Sequence, residues 1–290
     1  MTKLIPRSEL KGTIDHPGSA TVLGINEAHQ VLLVNTETRP LPFPQYEIPG
    51  GVCEAEETPE QAARRELEEE TGYSFDHSVH YHTVSPSVGY SNEWISVFRA
   101  PVFQVHTESE FKAQFFSKEE VKALIEAGQV IDAHTLAMLW RWIQEEDETV
   151  PQPNVLFLCT GNYYRSRFCE LYFNYLTKGK DLHADSRGLW AYRKINEGFI
   201  SPHTIQFMNE HNLPVGPLRF PEQQEKRHFA QCGRVIALDE TEHRPMLQQM
   251  FPSWVDKIEY WQVHDIDFTE PLVALNVLKT QVEGLVDAMS

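Results

Sequence analysis

The sequence predicts an α/β protein in two units, a mixed α/β layer structure followed by a doubly wound parallel sheet. Three observations carry this reading. Apolar strand-like runs and amphipathic helical runs are interspersed along the whole chain. An acidic, proline-bearing stretch, QEEDETVPQP at residues 144–153, interrupts them near the middle. Beyond it, the short apolar runs NVLFLC and RVIALD alternate with helical segments, as parallel strands buried on both faces do.

Taken in order, SATVLGI and QVLLVN read as strands, and TPEQAARRELEEETG as a helix stopped by Gly72. WISVFRAPVFQV and FKAQFFS are further strands. SKEEVKALIEAG opens with Ser117 as a cap and Glu120 three residues on, the arrangement of a capping box, and IDAHTLAMLWRWIQEE follows as a second helix. In the second unit NVLFLC leads into the helix SRFCELYFNYL, and FTEPLVALNVLKTQVEGLVDAM closes the chain. The expected domains are residues 1–148 and 149–290, each of ordinary size within the 290 residues.

The net charge of −17 divides as −14 over residues 1–150 and −3 over the rest. So acidic a surface argues against nonspecific binding to nucleic-acid phosphates, and specifically against 5′-end processing of a long RNA. The N-terminus has no apolar signal core and no run approaches a membrane span, so a soluble, cytoplasmic protein is expected, with no membrane partner. The four cysteines, at 53, 159, 169 and 232, show no CxxC pairing and fit reduced thiols, one of which can serve as a nucleophile. Histidines 203, 211, 228, 243 and 264 have no ligand-like spacing and read as structural.

Residues 51–73 read GVCEAEETPEQAARRELEEETGY. Glu66, Glu69 and Glu70 stand at i, i+3 and i+4, so a helix presents all three carboxylates on one side. Like charges so spaced destabilise a helix unless a hard divalent cation turns them into ligands. Arg65 lies four residues before Glu69, placed to orient a carboxylate, and Pro49-Gly50-Gly51 supplies a tight turn whose carbonyl can add a ligand. The string fits G-x5-E-x7-R-E-U-x-E-E-x-G-U, with U bulky and apolar or aromatic, at Gly51, Glu57, Arg65, Glu66, Leu67, Glu69, Glu70, Gly72 and Tyr73.

In this it resembles the Nudix hydrolases, over roughly residues 18–145. The resemblance implies an α/β/α sandwich, Mg²⁺ or Mn²⁺ held by Glu66, Glu69, Glu70 and the Gly50 carbonyl, and attack of water on a pyrophosphate. Ser85-Pro86 with Tyr90-Ser91-Asn92-Glu93-Trp94-Ile95 is similar to a stretch of ADP-ribose and ADP-sugar pyrophosphatases, though the Gly after Pro is missing. It favours a small nucleotide-derived substrate, ADP-ribose or a nucleotide sugar. Glu108 and Glu110 fall where that group carries a catalytic glutamate, and Glu110 is the choice. Tyr46 and Trp94 are candidates either to stack a base or to pack in the core or rim.

In the second unit Cys159 ends a strand and Arg165 begins a helix six residues later. The intervening Thr160, Gly161, Asn162, Tyr163 and Tyr164 can converge their N–H groups on an anion at the helix N-terminus. The same field favours a thiolate at Cys159; Arg165 can fork onto two phosphate oxygens, and Ser166 can donate to the sulfur. The string Cys-x-Gly-Asn-x-x-Arg-Ser between strand and helix resembles the low-molecular-weight protein tyrosine phosphatases, over roughly residues 153–289. The match extends to Asp185-Ser186-Arg187-Gly188 and to the strand RVIALD.

That resemblance implies a cysteine nucleophile with no cofactor, acting on a phosphomonoester. Asp265 lies where the family keeps its general acid, with Asp267 as a competitor. Tyr164 replaces the family's second loop cysteine, Arg167 its proline, and Ile266 the proline after the acid, departures that point away from phosphotyrosine proteins. Arsenate reduction on the same fold needs two redox cysteines near Asp239, where Cys232 has no partner. The expectation is a bifunctional hydrolase, with a phosphate-sensing, non-catalytic second module or an arsenate reductase-like second domain as the alternatives; a homodimer is compatible with each.

Overall fold

A computed structural model describes residues 14–36, 44–89, 91–145, 152–191 and 198–289. Most of the linker stretch and Tyr90 lie outside the described residues. The chain divides into two compact units, Met1–Val150 and Pro151–Ser290.

The first unit is built on a seven-stranded mixed sheet, ordered β3-β2-β1-β7-β6 with β4 added beside β1 and β9 beside β2. Its strands are β1 (Ser19–Ile25), β2 (Val31–Asn35), β3 (Tyr46–Glu47), β4 (Gly50–Val52), β6 (Val79–Val84), β7 (Ile95–Pro101) and β9 (Lys112–Phe116). The pairing of β1 with β7 is parallel over seven residues, while β1 meets β2 and β4 antiparallel. The run WISVFRAPVFQV is not one strand: β7 stops at Pro101, and β8 (Phe103–Gln104) pairs instead with β5 (Tyr73–Ser74). Proline has no N–H to continue a ladder, which is why the break falls there.

Strand alternation sorts the core into two layers. Ala20, Val22 and Leu32 face Ala62, Ala63 and Leu67 of helix α1 (Pro59–Thr71). Leu23, Ile25, Val31 and Leu33 face Val121 of α2 (Lys118–Glu126) and Met138, Leu139 and Trp142 of α3 (Ala133–Gln144). Helices on both sheet faces make the expected sandwich. Ser117 caps α2 in the predicted box with Glu120.

The second unit has a four-stranded parallel sheet, β11-β10-β12-β13, formed by β10 (Val155–Cys159), β11 (Ala184–Gly188), β12 (Arg234–Ala237) and β13 (Glu259–Tyr260). Around it lie α4 (Arg165–Leu176), α5 (Pro202–Glu210), α6 (Lys226–Ala230), α7 (Glu240–Met250) and α8 (Pro271–Met289). All five residues of β10 are buried, so Cys159 sits at the C-terminal edge of a central strand, where open α/β sheets place their ligands. Among the described residues no helix is long and apolar enough to cross a membrane.

Candidate active sites

In the first unit, the site grows from the ends of helix α1. Pro59 opens the helix, the Thr58 N–H donates to Gln61 Oε1 at 3.0 Å, and Gly72 closes it in the left-handed region at φ 74°. The chain then returns: the Val105 N–H donates to the Gly72 carbonyl, Glu110 N–H to Glu69 O at 3.0 Å and Phe111 N–H to Glu70 O at 3.2 Å. These bonds carry Glu110 to the last turn of the helix, 40 residues after Glu70.

Glu70 Oε2 accepts from the Gly50 N–H at 2.9 Å. Burial pushes its carboxyl up to about 7; the Gly50 N–H opposes the shift, while Glu66, Glu110 and Glu47 add to it. Glu66 lies so close to Gly51 that a Cβ there would collide with its carboxylate. Arg65 forks onto Glu57 (Nε–Oε1 2.8 Å, Nη2–Oε2 3.0 Å) and donates to Glu66 through Nη1 at 2.8 Å. Burial raises the Glu57 carboxyl, but the bond from Arg65, the Glu54 backbone bond and the Arg65 charge together outweigh it and hold it below its usual value.

The three box carboxylates are less gathered than helical spacing suggests. Glu69 is half exposed, 3.4 Å from Arg65 Nη1, and lines an open depression with Arg64, Glu68 and His106. Among the described residues no group of three or more His, Cys, Asp or Glu side chains is arranged as a metal-ligand set. Like charges repel at this spacing, and each carboxylate has taken the nearest donor instead. The donor chemistry nonetheless suits a hard cation, because Glu66, Glu110 and Glu47 all act on Glu70. Glu47, on the two-residue β3, was not singled out in the sequence; only its position next to the Pro49 turn hints at it.

Elsewhere in this unit, Tyr46 packs edge-on against Phe116 at 5.1 Å between ring centroids, a core contact. Trp94 is 39 % exposed. In the adjoining loop Glu93 accepts from the Ser19 hydroxyl at 2.7 Å, which ties the segment to the start of β1.

In the second unit, the loop after β10 curls around the sulfur of Cys159. The Asn162 N–H points at Sγ at 3.2 Å, and the Ser166 hydroxyl lies 3.0 Å from it. Asn162 takes the left-handed region at φ 49° and is held by its side chain. Its Nδ2 donates to Ser166 Oγ at 3.1 Å and Ser186 Oγ at 2.8 Å; its Oδ1 accepts from Arg219 Nη1 and the Glu222 N–H, both at 2.8 Å. Gly188 is needed here, since a Cβ would lie 2.9 Å from the Asn162 nitrogen and the Thr160 carbonyl oxygen.

Tyr164 turns its ring inward and donates its hydroxyl to the Pro271 carbonyl at 2.7 Å, which fastens the loop to α8. Tyr163 anchors the loop through its carbonyl, which accepts from the Ser201 N–H at 2.9 Å. Arg165 is buried. Nη1 donates to the Val263 carbonyl at 2.9 Å, and Nη2 reaches Glu242 Oε2 and Asp265 Oδ2, each at 2.7 Å. Its Nε is buried with no hydrogen-bond partner, the kind of donor an incoming oxyanion would satisfy. Asp265 thus adjoins the loop, while Asp267 is exposed.

Arg219 and Glu242 escaped the sequence reading. Arg219 also pairs with Glu170 at 2.7 Å, and Glu170 with Arg167 at 2.6 Å. Arg167, in place of a proline, therefore joins a buried ion network beneath the loop. Burial raises Glu170, but the two guanidiniums hold its carboxyl far below the ordinary range. His264 bonds Asp239 at 2.7 Å, and His243 Nδ1 accepts from the Asp239 N–H at 3.0 Å. All four cysteines are free thiols.

Residues 15–152 match the family described as the NUDIX domain, and residues 154–274 match the low molecular weight phosphotyrosine protein phosphatase family. An ADP-ribose pyrophosphatase of Bacillus subtilis (strain 168) is 33% identical over 129 residues, covering 42% of this chain and 70% of that protein. Among solved structures, a low molecular weight protein tyrosine phosphatase from Streptococcus pyogenes is 16% identical at a TM-score of 0.42, covering 48% of this chain and 93% of its own. One from T. tengcongensis is 26% identical at a TM-score of 0.39, covering 47% and 97%.

Proposed function

This chain belongs to the Nudix hydrolase family and carries a low-molecular-weight phosphatase domain as its second unit, and from that premise we propose a bifunctional hydrolase that removes phosphate in two steps. The first unit cleaves the pyrophosphate of a nucleoside diphosphate bearing another moiety, ADP-ribose or a nucleotide sugar. The second hydrolyses a phosphomonoester of the kind the first releases.

For the first step the supporting observation is the gathering of Glu70, bonded to the Gly50 N–H, with Glu66 against Gly51 and Glu110 tied to the last turn of the helix. Glu66, Glu69, Glu70 and the Gly50 carbonyl would hold Mg²⁺ or Mn²⁺, which supplies polarisation of phosphoryl oxygens and a more acidic water. Arg65 holds Glu57 and Glu66 in register, and Gly51 leaves room for the Glu66 carboxylate. Glu110, fastened to the helix end beside Glu70, is placed to accept the proton of the attacking water.

For the second step the supporting observation is Cys159, its sulfur facing the Asn162 N–H and the Ser166 hydroxyl. The thiolate attacks phosphorus and the bond to the leaving oxygen breaks, with Asp265 donating the proton that oxygen needs. Water then attacks the phosphocysteine, giving its proton to Asp265 and releasing inorganic phosphate and the thiolate. The N–H groups of residues 160–165 and Arg165 Nε carry the charge of the phosphoryl oxygens throughout.

The test follows the phosphorus. Supplied with ADP-ribose and Mg²⁺, the wild type should release AMP and ribose 5-phosphate, then inorganic phosphate. Cys159→Ser should stop at the phosphorylated sugar and lose p-nitrophenyl phosphate turnover. Failure of the wild type to release a monophosphate from a panel of ADP-ribose and nucleotide sugars sinks the first claim. Failure to turn over p-nitrophenyl phosphate sinks the second, leaving phosphate sensing as the role of that unit.

A further inference from the structure

The two-step reading gives Arg165 to phosphate, yet two carboxylates already hold its Nη2 at 2.7 Å each. One of them, Asp265, has a place in the chemistry as the acid. Glu242 has none. It projects from the first turn of α7, 77 residues along the chain, and its carboxylate also accepts from the Thr160 hydroxyl, inside the loop that would cradle the anion. Its other charged neighbours do not relieve it. His243 Nε2 lies 3.5 Å away on a ring that burial keeps neutral, down to about 4, and Asp239 lies 4.0 Å from Arg165 Nη1 and is engaged by His264.

A phosphate dianion bound by the loop and by Arg165 through Nε and Nη2 would therefore meet a fixed carboxylate at the same nitrogen. Arg165 is 1 % exposed and is tied to the Val263 carbonyl, so it cannot swing away to serve both. At such distances around a buried guanidinium, each further unit of negative charge on the ligand is penalised.

We propose that Glu242 is a specificity-determining residue of the cysteine site, selecting phosphoryl groups of reduced net negative charge over the full dianion. It does so by competing for Arg165 with whatever enters the loop. The favoured ligand carries one negative charge on its phosphoryl group, or brings a positive charge of its own to offset Glu242.

This rests on the phosphatase reading, so the experiment separates the two. Full-length wild type and Glu242→Gln are titrated with inorganic phosphate by calorimetry from pH 5.5 to pH 8, and phosphate is also used as a competitive inhibitor of p-nitrophenyl phosphate turnover. Glu242→Gln keeps the shape and the hydrogen bond to Arg165's surroundings while losing the charge; Glu242→Ala, checked for folding by circular dichroism, is the second variant. Both should bind phosphate about tenfold or more tighter than wild type at pH 8. The gap should shrink toward pH 5.5, as the inorganic phosphate dianion takes up a proton and becomes a monoanion. A merely structural residue would not give a gap that follows the charge of the ligand.

Unchanged or weaker phosphate binding in both variants overturns the proposal, as does a gap that ignores pH or an absence of phosphate binding in every form. Loss of turnover in all forms with the binding pattern intact would instead overturn the catalytic reading and leave Glu242's role standing.

Discussion

The two candidate sites carry opposite charge arrangements. In the first unit, three further carboxylates, Glu66, Glu110 and Glu47, act on Glu70, and Glu70 and Glu66 have each taken a nearby donor, so negative charge is in excess there and a hard cation would offset it. In the second unit the positive charge is built in: Arg165 is buried at the base of a loop of N–H donors, and the surplus lies in the acids that crowd it. A site short of cations should depend on metal and pH. A site with its own cation should depend on individual side chains.

The largest effect expected from this contrast is a clean separation by chelation and by one thiol. EDTA should reduce pyrophosphate cleavage to background while p-nitrophenyl phosphate turnover stays within about twofold. Cys159→Ser should do the reverse, with roughly 10³-fold or greater loss of phosphatase activity. A chelator that silences both activities would break the comparison.

Next in size is Asp265→Asn, expected to lower phosphatase kcat by about 10²–10⁴-fold against substrates with poor leaving groups. Asp267→Asn should change it little, because Asp267 is exposed and only Asp265 touches Arg165. Equal losses in the two variants would refute the assignment.

The pH responses should differ in sign. Glu70 has its carboxyl raised to about 7, so between the unfolded value and about 7 the folded chain binds more protons. Its contribution to metal-free stability is present at low pH and is lost as pH rises through about 7. Metal, which displaces that proton, should bind more tightly over the same rise. His243 is depressed to about 4 by burial, so its contribution is present above about 6.5 and is lost as pH falls toward 4. Each slope is at most roughly 1.4 kcal/mol per pH unit. Urea denaturation of Glu70→Gln and His243→Gln across pH 4–8 should flatten the two slopes separately, and matching slopes in both variants would contradict the assignment.

The smallest effect is steric. Gly188→Ala would put a methyl 2.9 Å from the Asn162 nitrogen, costing roughly 1–3 kcal/mol and loosening the loop. The same change at Gly128, where a Cβ would meet nothing within 4 Å, tests backbone strain alone at its φ of 70°. Thermal melts of the two variants separate crowding from strain.

What could be read from the sequence was whatever local spacing fixes. The three glutamates one helical turn apart, the left-handed stop at Gly72, the capping box at Ser117 and the strand–loop–helix around Cys159 each depend on neighbours within about seven residues, whose geometry the helix period and the backbone set directly. WISVFRAPVFQV shows the limit, since whether a strand continues past Pro101 depends on which ladder accepts it.

The tertiary structure alone decided the company these groups keep. Glu110 reaches Glu70 because the chain folds back onto the end of α1, and Glu47 joins them from another strand. Arg219 reaches Asn162 across 57 residues and Glu242 reaches Arg165 across 77. No period or motif encodes such approaches. They arise from packing many elements at once, and electrostatic interaction depends on separation in space, whatever the separation along the chain. The sequence by itself determined that this protein carries a glutamate-rich Nudix box and a Cys-x5-Arg loop between strand and helix. Folding determined how those charges are balanced: a first site where carboxylates crowd Glu70, and a second whose own arginine is already contested.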